Sequence, residues 1–101
     1  MDLLAASELA DIFKALSDPT RLRIISILAE RELCVNDLSE ALGMTQSAVS
    51  HQLADMRGKR LLAARREGRY VYYRLDDDHV RHLFSEGLAH VQHAGDGRTH
   101  G

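Results

Sequence analysis

The sequence predicts a mainly α-helical domain with a β-hairpin wing, built from five helices and two strands. Two observations predict it. Apolar residues recur at helical spacing over most of the chain, and the pattern changes to a β period only around LLAARREGRYVYYRL, residues 61–75.

Each element follows in order. Leu3, Leu4, Leu9, Ile12, Phe13 and Leu16 mark an amphipathic first helix over 3–16. In SDPTRLRIISILAE, Ser17 or Asp18 can cap, and Pro19 suits the first helical position, where its missing N–H costs nothing. Leu22, Ile24, Ile25, Ile27 and Leu28 give this second helix a broad core face to about Ala29. LCVNDLSEALG then reads as a third helix of about two turns, stopped by Gly43. The fourth starts at a capping Thr45 and places Val49, Leu53 and Met56 on one face. Across Glu67-Gly68 the β-branched and aromatic residues form the hairpin, with Tyr70 and Tyr72 alternating against Val71 and Tyr73. From Asp76 a helical period resumes through Val80, Leu83, Phe84, Leu88 and Val91. This divides the chain into a domain over 1–93 and a tail, AGDGRTHG at 94–101, which has nothing to bury beyond Ala94 and is expected to be mobile.

At 101 residues the chain forms one small domain. A domain of this size buries about 60–70% of its unfolded surface and often gains stability from a partner. No stretch approaches the ~18–20 apolar residues of a membrane span. MDLLAASELADIF carries acids where an export signal has a basic region, so a cytoplasmic protein without a membrane partner is expected. The single cysteine, Cys34, excludes an intrachain disulfide and suits a reducing compartment.

The net charge of −2 hides a division along the chain. Residues 45–74 hold seven basic side chains against two acids, a net of +5, which leaves −7 for the remainder. A basic segment on an acidic body outlines a face presented to phosphate. Two helices joined at Gly43 and followed by a hairpin form a winged helix-turn-helix, whose second helix enters the major groove of double-stranded DNA. Its candidate contacts are Thr45, Gln46, Ser47, Ser50 and His51, all able to hydrogen-bond to bases or phosphates. Arg65, Arg66 and Arg69 on the wing would supply salt-sensitive backbone contacts.

SDPTRLRIISIL, ELCVNDLSEALGMTQSAVSHQL and RREGRYVYYRL together resemble the ArsR/SmtB family of bacterial repressors, over roughly residues 8–93. The resemblance implies a homodimer that binds an operator of inverted-repeat symmetry and releases it on binding an inducer. Where many relatives carry a basic residue after the QSAVSHQL segment, this chain has Ala54, followed by Asp55 and Gly58. The family's thiolate site uses an ELCVC-type motif, but here it reads ELCVN, with Cys34 followed by Asn36 in place of a second ligand. Soft metals need several thiolates, so that site is expected to be absent.

The last helix carries a different donor set. Asp77, His79, His90 and His93 are the candidate ligands, with His82 and His100 as extras. His79, His82, His90 and His93 share one face, yet His79 and His90 lie roughly 16 Å apart at 1.5 Å rise per residue. Ligands of one zinc ion approach to about 4 Å of one another. One helix therefore cannot close the site. An antiparallel pair of last helices across a two-fold axis can, giving two equivalent sites per dimer. The spacing D-x-H…H-x-x-H is similar to that of the last-helix site of zinc- and cobalt-sensing relatives, and the resemblance carries the ligand roles onto these four residues. Histidines with a carboxylate suit zinc first, and cobalt or nickel with added ligands such as His82 or His100.

The expected function is a metal-responsive DNA-binding repressor and not an enzyme. A regulator of the same fold with an unknown or non-metal inducer is the alternative. A small zinc enzyme is the reading from another class, and the sequence offers it no phosphate loop or activated nucleophile.

Overall fold

The computed structural model describes the backbone of residues 1–100 and the side chains as far as His93. Its elements run α1 (Leu3–Leu16), α2 (Pro19–Leu28), β1 (Leu33–Cys34), α3 (Val35–Leu42), α4 (Gln46–Gly58), β2 (Leu62–Glu67), β3 (Tyr70–Leu75) and α5 (Asp78–His100). Side chains cap the starts of α1, α2 and α4; Asp18 and Thr45 are expected from the sequence, and Asp2 is a further one. Asp2 accepts from the Ala5 N–H, Asp18 from Arg21, and Thr45 from Ala48, each satisfying a first-turn donor that has no partner within its helix.

The described residues contain three strands, where the sequence analysis expected two. Leu33 and Cys34, read there as the start of the third helix, form β1 and pair with Tyr73 and Tyr72. Two residues are too few to show alternation, and only the pairing with β3, some forty positions downstream, makes them a strand. The sheet is antiparallel in the order β1-β3-β2. At the hairpin tip Glu67 faces Tyr70, and Gly68 takes a φ of 63°, which a residue without Cβ adopts at no steric cost.

The core lies between α2, α3, α4 and the sheet. Ile24, Ile25, Leu38, Val49, Leu53 and Met56 are all completely buried within it. Gly43 closes α3 with a φ of 67°, as expected of a residue chosen for the left-handed region. The end of α4 is less expected. Arg60, at a φ of 62°, is the one non-glycine described with positive φ. The Leu61 N–H donates to the Met56 carbonyl at 3.0 Å and the Arg60 N–H to Arg57 at 3.0 Å, closing the helix with a left-handed residue that carries a side chain.

The outer helices are incompletely covered. In α1 only Ala15 is buried, while Leu3 and Leu4 are 83% and 68% exposed and Phe13 is 51% exposed. Leu83, Leu88 and Val91 are exposed along α5. The backbone of α5 continues as helix to His100, beyond the end at His93 that the sequence suggests. The expected mobility of residues 94–101 and the candidate ligand His100 lie outside the described side chains.

Candidate functional site

The stripe Val49, Leu53, Met56 is buried against the core, and Ser47, Ser50 and His51 are exposed on the opposite side of α4, with Gln46 exposed in the first turn. Thr45 spends its hydroxyl oxygen on the Ala48 N–H at 3.1 Å, so it acts first as a cap. The turn at Gly43 and Met44 presents the start of this helix outward. These polar side chains and the helix N-terminus form a surface of suitable chemistry for base edges and phosphates.

The three wing arginines are not equivalent. Arg65 pairs through Nε with Glu32 at 2.9 Å and through Nη1 with Glu67 at 2.7 Å, and its guanidinium stacks 4.9 Å from the Tyr72 ring. Those carboxylates, Glu67 foremost, raise the guanidinium above its ordinary value. Arg69 stacks 5.5 Å from Tyr70, whose ring is 6.4 Å from Tyr72. One face of the wing is thus a row of two tyrosines, Tyr70 and Tyr72, flanked by Arg69 and Arg65. Arg66 pairs across the strands with Val71, on the other face, and is exposed with no ion pair among the described residues.

At the start of α5, Asp77 accepts the Val80 N–H at 3.0 Å through Oδ1, while Oδ2 lies 3.5 Å from His79 Nδ1. The Val80 hydrogen bond, followed by the His79 contact, holds the Asp77 carboxyl below its ordinary value. The His79 side chain is 95% exposed. His82, His90 and His93 are exposed farther along the same helix. Asp77 and His79 are therefore brought together, and His90 and His93 are not brought to them. No group of three or more His, Cys, Asp or Glu side chains able to hold a metal ion occurs among the described residues. Asp77 and His79 line a groove of about 700 Å³ whose other walls include Leu9 and Ile12 of α1, Arg60 and Leu61 after α4, and Leu83 of α5. Cys34 is half-buried before α3, 3.5 Å from Asp37, with no second thiol in the chain.

Sequence reasoning missed a polar tether between α2 and α4. Arg21 donates through Nε to Gln52 at 2.8 Å, and its Nη2 lies 2.6 Å from Asp55, which also accepts from Lys59 at 2.8 Å. Lys59 first, and then Arg21, hold the Asp55 carboxyl below its ordinary value. Likewise, Arg81 of α5 donates to the Ala29 carbonyl at the end of α2. Neither contact leaves a local signal, because the partners are far apart in sequence.

Comparison with known proteins agrees with this architecture. The profile of the family described as "Bacterial regulatory protein, arsR family" matches residues 18–64. A transcriptional repressor SmtB homolog of Synechocystis sp. is 51% identical over 92 residues, covering 91% of this chain and 70% of its own length. The solution structure of apo-NmtR superposes with a TM-score of 0.80 at 44% identity, covering 92% of this chain and 78% of that one. The homodimeric winged helix-turn-helix DNA-binding domain Mb0332 of Mycobacterium bovis superposes with a TM-score of 0.78 at 36% identity, covering 95% and 87%. No described helix is long and apolar enough to cross a membrane. On this evidence, the chain belongs to the arsR family of bacterial regulatory proteins and is a winged helix-turn-helix transcriptional regulator, not an enzyme.

Proposed function

We propose that the protein represses transcription as a homodimer bound to operator DNA, and lets go when zinc binds two sites shared between its subunits. Each site takes Asp77 and His79 from one chain and His90 and His93 from the other. Cobalt or nickel would occupy the same donors with added ligands, for which His82 and His100 are candidates.

One observation carries this reading: the donors stand in two exposed pairs, Asp77 and His79 at the start of α5 and His90 and His93 farther along it, too far apart for one ion. A second chain packed antiparallel brings the pairs together, and the exposed apolar residues of α1 and α5 offer the surface for that packing. Covering such side chains contributes roughly 1.5–3 kcal/mol for each Leu or Phe fully buried. Zinc then bridges the two helices that set the separation of the recognition helices. A coupling of about 1–3 kcal/mol between metal and DNA changes affinity by 5–150-fold.

In this reading the bases meet Gln46, Ser47, Ser50 and His51, and Thr45 holds the start of their helix. Arg66 and Arg69 reach phosphates, whereas Arg65 braces the wing from which they project. The test is the affinity of the dimer for a duplex that it selects from a random-sequence pool, measured with and without zinc. Zinc is expected to weaken wild-type binding and to leave His90→Ala unaffected. Undiminished wild-type binding in zinc would sink the sensor reading while leaving DNA binding intact.

A further inference from the structure

The flank of α4 carries a polar attachment that neither base contact nor metal binding uses. Arg21, in the first turn of α2, has a side chain only 20% exposed. Its Nε and Nη2 reach two residues of α4 at once: Oε1 of Gln52 at 2.8 Å and Oδ2 of Asp55 at 2.6 Å. At 100° per residue, Gln52, Asp55 and Lys59 form a stripe centred about a third of a turn from the face that bears Ser47, Ser50 and His51. The tether thus leaves that face free.

Such a tether supplies something that the core does not. Val49, Leu53 and Met56 hold α4 by apolar burial, which is non-directional. A guanidinium presents its donors in a rigid planar fork. Gripping two residues one turn apart, it fixes both the roll and the axial position of α4 against α2. Base readout depends on those two quantities, because hydrogen bonds to base edges are angle-dependent while attraction to phosphate is not. Asp55 has a second effect. Its Oδ1 accepts from Lys59 Nζ at 2.8 Å, folding that ammonium back along the helix.

We infer that Arg21 is a positioning residue for base readout, setting the roll of α4 through Gln52 and Asp55 without touching DNA, while Asp55 withholds Lys59 from the phosphates. The inference rests on α4 being the helix that reads bases.

The experiment uses the full chain and two labelled duplexes of equal length, one selected by the wild type from a random pool and one of mixed sequence, titrated over a range of salt. Arg21→Met keeps the apolar stem and removes the fork. It is expected to weaken binding to the selected duplex by about tenfold, with a change under about twofold on the mixed duplex and an unchanged slope of log K against log salt, whereas Arg66→Ala lowers that slope by about one. If Arg21→Met lowers the slope on both duplexes, Arg21 is a phosphate contact. If the preference between duplexes is unchanged, Arg21 has no part in readout. Either result overturns the inference. Should Arg21→Met fail to fold by circular dichroism, Asp55→Asn decides the matter. That variant is expected to lose preference and to steepen the slope by about one as Lys59 is released, and retention of both wild-type values refutes the proposal. Gln46→Ala and Ser50→Ala test the premise separately. Loss of preference there supports α4 as the reader whatever Arg21 does, and no loss in either overturns both readings together.

Discussion

Asp77 and His79 meet at the first turn of α5, with Asp77 Oδ2 3.5 Å from His79 Nδ1 while its other oxygen caps the helix at Val80. The carboxylate caps the helix and is also a donor of the proposed metal site, and substitution can separate the two roles. Asp77→Ser retains a capping oxygen but removes the proposed metal donor; Asp77→Ala removes both. Zinc affinity should fall in both variants by at least the roughly 10–100-fold that removal of outer-shell partners costs. The thermal midpoint of the metal-free protein should fall only in Asp77→Ala. Wild-type zinc affinity in Asp77→Ser would remove Asp77 from the ligand set.

Sites shared between subunits predict complementation. His79→Ala and His90→Ala homodimers should each lack an intact site. In a mixed dimer, the Asp77 and His79 of the second variant face the His90 and His93 of the first, which restores one complete site and leaves the other doubly defective. Co-refolding the two variants should therefore recover tight zinc binding that neither shows alone. If the mixture binds no better than its components, the ligands are not divided between chains in this way.

The wing should separate bracing from contact. Arg66→Ala is expected to reduce the salt slope of DNA binding by about one, as removal of a single phosphate contact does. For Arg65→Ala the slope should stay close to wild type, because that guanidinium is engaged by Glu32 and Glu67. Its effect should appear instead as faster amide exchange in the hairpin. A slope change as large as that of Arg66→Ala would show Arg65 released to DNA.

Acid should weaken the tether at α4. Lys59 and Arg21 depress the Asp55 carboxyl below 3.8, so its ion pairs contribute stability above the unfolded-state value and lose it as pH falls through the folded-state value. The difference in thermal midpoint between wild type and Asp55→Asn should hold constant from neutrality to about pH 4 and shrink below it. A difference that persists undiminished at about pH 2 would mean that Asn disturbs packing and not charge.

The elements that depend on local chemistry are legible in the sequence. Asp18-Pro19, Gly43 and Thr45 announce helix ends because capping and left-handed turns are decided within a few residues. The hairpin showed itself through alternation. The short strand Leu33–Cys34 did not, since its identity comes from Tyr72 and Tyr73 across the sheet. For the same reason the ion pairs of Arg21 and Arg65 were hidden: Asp55 and Glu32 lie more than thirty positions from them in sequence, and a helix face records that it is polar but not which partner it meets. The candidate metal donors were legible as a spacing, and the structure brings only Asp77 and His79 together.

Arg60 constrains the chain where α4 ends. A residue with a Cβ in the left-handed region costs roughly 1–2 kcal/mol over a right-handed one, and that region is a small island separated from the other allowed backbone conformations. Its φ of 62° cannot drift far without leaving the island. The turn that leads from α4 into the wing is thus restrained at Arg60 by local sterics. Arg60 stands at the wall of the same groove that Asp77 and His79 line.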